Sequence, residues 1–92
     1  MIKEIMFLEK YDFDITTKGC EYAAYIIHNY DTSELQNLLS VYEKIAEEYK
    51  TTAGAVERAL RYAISKSYFK GLTLKKALFY LIFDFNLKVD KD

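Results

Sequence analysis

A chain of 92 residues with 51% hydrophobic and 16% aromatic content can close one small core without a metal or a disulfide. Three glycines and no proline favour helices joined by short turns over a turn-rich β-sandwich, and with the patterns below predict an all-α bundle of about five to six helices in a single domain. The net charge of −1 argues against a nucleic-acid binder, but its distribution argues the other way. Residues 48–76 carry seven basic and two acidic side chains (+5), and the remainder carries six and twelve (−6).

Residues 2–10 predict a short helix with Ile2, Ile5 and Met6 on one side. YDFDI at 11–15 alternates apolar and acidic residues, which predicts an extended connector docking Tyr11, Phe13 and Ile15 on the core. Thr16 or Thr17 caps the next helix, about 18–30, whose core stripe is Cys20, Ala23, Ala24 and Ile27. Asp31-Thr32-Ser33 breaks and recaps the chain, and a helix follows with Leu35, Leu38 and Leu39 inward. Ser40 and Glu43 fit a capping box, which places a boundary near Ser40 and a short helix over 41–49.

Lys50-Thr51-Thr52 is a turn, and 53–70 reads as one long helix that Gly71 stops in the left-handed conformation. Thr73 caps a last helix, about 73–87, with Leu74, Ala77, Leu78, Leu81, Ile82 and Phe85 inward; the tail NLKVDKD is expected to fray. Cys20 is alone, so no internal disulfide can form, and a cytoplasmic location is expected. MIKEIMFLEK carries four charges and lacks a signal peptide's apolar run. The longest apolar run, 77–83, has seven residues against roughly 18 for a membrane span, so no membrane role is expected.

IAEEYKTTAGAVERAL at 45–60 carries a helix-turn-helix pattern over about 41–70. Such a motif crosses a short helix with a longer one over a three- to four-residue turn, which demands a small residue at the crossing. Ala46 supplies it, Val56 points back at it, and Ile45, Tyr49, Leu60 and Ala63 extend the contact. Glycine is common in these turns; with Lys50 there, a different turn is expected. Any tight helical hairpin meets the same steric demand, so the pattern alone fits a structural hairpin equally well.

KGCEY at 18–22, followed by YEKIAEEYKTTAGAVERALRYAISKSYFKG at 42–71, resembles the C-terminal DNA-binding domain of the sporulation master response regulator of endospore-forming bacteria. Tyr42, Ile45, Ala46, Tyr49, Thr51, Thr52, Ala53, Val56, Glu57, Arg58, Ala59, Leu60 and Arg61 match the family pattern, and the likeness covers about 7–71. The resemblance implies a compact helical domain whose second motif helix enters the major groove of double-stranded DNA. Arg58 matches one family base-contacting arginine; the other position is Ala55, and its usual small polar neighbour is Gly54. Gly54, Ala55, Arg58 and Arg61 or Tyr62 share the outward face, while Glu57 either orients Arg58 or accepts from a cytosine. With a methyl where an arginine is usual, base readout should be weaker or shifted. Lys50, Thr51, Thr52, Arg61, Lys66 and Lys70 remain to grip phosphates. Arg61 suits a phosphate, a structural carboxylate or a base.

No receiver domain is expected ahead of the module, and the family's C-terminal part is expected to be longer than the apolar helix after Gly71. On that helix Phe79, Tyr80 and Phe83 either complete the core or form a homodimer patch. His28 and Cys20 lack the converging partners of a metal site. No phosphate loop, nucleophile elbow or metal-binding helix motif is present, so neither an enzyme, a cofactor nor a small-molecule substrate is expected. Two functions compete: a sequence-specific DNA-binding regulator, and an interaction module that has lost base readout and pairs with another regulator.

Overall fold

The computed structural model describes residues 1–89, all-helical among those residues: α1 (Ile2–Lys10), α2 (Lys18–Asn29), a 3-10 helix (Thr32–Asn37), α3 (Leu38–Tyr49), α4 (Ala53–Ser65) and α5 (Leu74–Lys88). Three threonines start three of these helices. The hydroxyl oxygens of Thr17, Thr52 and Thr73 accept from the backbone N–H of Cys20, Ala55 and Lys76, satisfying donors that a first turn leaves open.

α2 is the hub. It packs on α1, α3, α4 and α5, and Gly19, Cys20, Tyr22, Ala23, Ala24, Ile26 and Ile27 are all buried. Its small residues let neighbouring helices approach closely, and Gly19 permits the closest approach. A Cβ built on Gly19 would lie 2.3 Å from the Ala59 carbonyl oxygen and 2.6 Å from the Ala63 Cβ on α4. Only hydrogen fits there, so α4 rests directly on the α2 backbone. α5 closes the core with Leu74, Ala77, Leu78, Leu81, Ile82 and Phe85, and Phe7 of α1 packs edge-on against Phe85 at 5.2 Å. α1 is also tied to α2 by polar contact, His28 Nδ1 lying 2.9 Å from the buried Glu4 carboxylate. Burial pushes that carboxyl up, but the His28 hydrogen bond and the remaining interactions outweigh it and hold it below its ordinary value.

Several local expectations need correction. The 11–15 connector is not extended: Asp12 is left-handed (φ 67°) and the Asp14 carboxylate caps a turn by accepting from Thr16 N–H and hydroxyl. The turn breaks the period-two alternation, so Phe13 is buried, Tyr11 half-buried and Ile15 exposed. The capping box lies at Asp31 and Glu34, where the Asp31 carboxylate accepts from Ser33 N–H and Glu34 from Asp31 N–H. α3 then starts earlier than expected, because the Asn37 side chain caps it by accepting from Ser40 N–H. Ser40 is thus inside the helix, and the shifted start turns Leu39 outward.

The long helix over 53–70 is also shorter than expected. The Ser67 hydroxyl donates to the Ile64 carbonyl and accepts from Phe69 N–H, a local alternative to helical pairing that ends α4 at Ser65 and turns Phe69 into the core. Gly71 is left-handed (φ 93°), but it serves the turn before Thr73 rather than the end of α4. Of the tail expected to fray, Asn86, Leu87 and Lys88 are helical, and 90–92 lie outside the described residues.

Gly19→Ala should therefore lower stability by about 1–3 kcal/mol, because the clash is with backbone and cannot be relieved by a rotamer. Equilibrium urea denaturation checks this; an unchanged midpoint would mean α2 and α4 can separate freely.

Candidate nucleic-acid interface

α3 and α4 form the expected helix-turn-helix pair, with Ala46 and Val56 both buried between packed helices. The turn is made in the usual left-handed way, against expectation, by Lys50 at φ 55° and ψ 50°. The Ala46 carbonyl accepts the N–H groups of both Lys50 and Thr51, which closes the end of α3. A lysine bears the left-handed strain that glycine would avoid, and its side chain is exposed beside the start of α4.

The outward line of α4 is Gly54, Arg58, Tyr62 and Ser65, all exposed. A Cβ on Gly54 would lie 3.4 Å from Arg58 Nη1, so the guanidinium lies back along the helix over a residue with no side chain. Arg58 has no carboxylate partner among the described residues. Tyr62 is 60% exposed, and Lys66 Nζ sits 5.6 Å above its ring centre. Ala55 is half-buried beside this line.

Glu57 does not orient Arg58 here. Arg61, not Arg58, holds it, through Nε at 3.0 Å and Nη2 at 2.7 Å from the same carboxylate oxygen. Glu57 lies on the flank of α4 toward α3: burial pushes the Tyr42 hydroxyl up to about 12, and the Glu57 charge adds to that rise. An exposed pair spaced i, i+4 contributes only about 0.3–0.5 kcal/mol, so Arg61 can leave Glu57 for a phosphate at small cost. The spacing of this pair was readable from the sequence.

The remaining candidates divide between cap and rim. Thr52 uses an oxygen lone pair on Ala55 N–H and retains a hydroxyl hydrogen to donate, whereas Thr51 is half-buried. Because α4 stops at Ser65, Lys66 sits at its C-terminal cap and Lys70 in the following turn; neither is on the outward helix line. On α3, Glu43, Glu47 and Glu48 are exposed, as is Lys44. Among the described residues no cluster of His, Cys, Asp or Glu could hold a metal, and no helix is long and apolar enough to cross a membrane.

The family described as Sporulation initiation factor Spo0A C terminal matches residues 5–89. The match runs past Gly71 through α5, so the apolar last helix falls inside the family's extent rather than beyond it. No curated protein and no solved structure matches the chain.

Lys50→Gly gives two readouts. Relief of the left-handed strain should raise stability by about 1 kcal/mol. Loss of the ammonium should reduce the salt dependence of DNA binding by about one phosphate contact. Thermal denaturation and a salt titration measure the two separately.

Proposed function

The chain belongs to the Spo0A C-terminal family, DNA-binding domains of a sporulation response regulator, and from that premise we propose a sequence-specific, DNA-binding transcriptional regulator of the cytoplasm. α4 lies in the major groove, and Arg58 reads a base there. One observation carries this reading: Arg58 is exposed on the outward line of α4, free of any carboxylate among the described residues, over the bare backbone of Gly54. A guanidinium there can hold the O6 and N7 of a guanine, worth about 1–3 kcal/mol of discrimination. Lys50, Thr51, Thr52, Arg61, Lys66 and Lys70 hold phosphates around it, with Tyr62 and Ala55 against the groove wall. Glu57 tethers Arg61 until DNA competes for it.

With one guanidinium on that line, base readout rests on fewer hydrogen bonds than a two-arginine face provides. The domain needs no cofactor and does no chemistry of its own. A second reading, an interaction module without base readout, is favoured by the exposed rings of α5.

Fluorescence anisotropy on duplex DNA across a salt series separates the two readings. A regulator gripping about five phosphates should lose affinity with a log–log slope of about −4.5. Absent binding at moderate salt supports the interaction module. Arg58→Ala should flatten the preference among sequences; an equal loss on every sequence would reduce Arg58 to a phosphate clamp.

A further inference from the structure

α5 is apolar around most of its circumference. Leu74, Ala77, Leu78, Leu81, Ile82 and Phe85 are buried, yet Phe79, Tyr80, Phe83 and Leu87 are exposed, Phe83 by 51% and Leu87 by 68%. Lys76 and these four recur at i, i+3, i+4, i+7 and i+11, which is one outward stripe. Phe79 and Phe83 stack with ring planes 8° apart, so the stripe is an ordered ridge of rings. Beside it runs an open groove lined by Tyr11, Tyr68, Phe69, Leu72, Tyr80 and Phe83. A helix apolar all round is normally covered all round, and a contiguous exposed apolar surface marks a contact site.

Charge identifies what covers it. Residues 58–89 contain seven basic side chains and one acidic one, Asp84. Asp84 is already engaged, since the Tyr11 hydroxyl donates to it and Lys88 Nζ lies 3.2 Å away. Lys70, Lys75 and Lys76 along the rim have no carboxylate partner among the described residues.

We propose that the outward face of α5 and its adjoining groove dock an acidic amphipathic helix of a partner protein. The partner's apolar side chains pack on the ring ridge and its carboxylates meet Lys70, Lys75 and Lys76. α5 is about 22 Å long, room for three to four turns of a partner. A second copy fits less well, because two-fold pairing through α5 sets these lysines against each other with no free carboxylate among the described residues of that face to answer them. Duplex DNA could use the lysines but leaves the rings without a partner, since its base faces are stacked away. The proposal does not require α4 to read DNA, and where α4 does, phosphate and acidic helix compete for Lys70 alone.

The test is selection of a phage-displayed library of random peptides of about 15 residues on the whole chain, followed by affinity measurement on purified peptides. Enriched peptides should carry apolar residues at i, i+3 or i+4 and i+7, flanked by Asp and Glu. Their affinity should fall about tenfold or more on Phe83→Ala and, separately, on Lys76→Glu, both exposed positions. Enrichment of neutral or basic sequences, or none above an unrelated helical protein, overturns the proposal. So does self-association in sedimentation velocity that Phe83→Ala abolishes, which assigns the face to a second copy. A loss of DNA affinity in both variants with peptide binding intact assigns it to nucleic acid.

Discussion

A hydrogen atom in place of a side chain at Gly19 is the constraint on which the rest of this structure depends. α4 can present its outward line only if its other side is held rigidly, and that side rests on the α2 backbone through Ala59 and Ala63. Nothing larger than hydrogen permits that approach. Val56, Leu60, Ala63 and Ile64 then bury the inner face, which leaves Gly54, Arg58 and Tyr62 pointing away from the protein. The orientation of the candidate recognition helix thus follows from a contact with a helix outside the helix-turn-helix.

That arrangement explains what could be read from the sequence and what could not. Caps and stripes are local, so Thr73, the pairs Thr16/Thr17 and Thr51/Thr52 that hold the other two caps, and the buried faces of α2 and α5 were legible from spacing. Alternatives at a single side chain are harder. Asn37 and Ser40 both suit a cap, and the choice between them turned Leu39 outward. Ser67, in the polar stretch Ser65-Lys66-Ser67 of a segment read as one helix, gave no sign that it would take the Ile64 carbonyl and end α4. Gly19 lies in a family-like motif, but its steric role depends on Ala59 and Ala63, 40 and 44 positions away, and has no local signature.

The candidate interface was legible by residue type and less so by geometry. The match to the Spo0A C-terminal family supports the expected helix-turn-helix, and the structure rearranges its charges. Arg61 is tied to Glu57, Arg58 has no carboxylate partner among the described residues, and Lys66 and Lys70 fall beyond the end of α4. The left-handed Lys50 shows that the usual turn geometry can be kept without glycine, at the cost of backbone strain. Along the chain, acidic side chains prevail before Lys50 and basic ones from Lys50 to Lys76, which favours the second stretch for an anionic partner.

The most direct measurement is a titration of duplex DNA onto the isotopically labelled chain, followed by backbone amide NMR shifts. The account predicts changes concentrated from Lys50 through Tyr62, with Gly54 and Arg58 among the largest and the amides of α1 unmoved. Changes confined to α1 or α5, or none at saturating DNA, would contradict it.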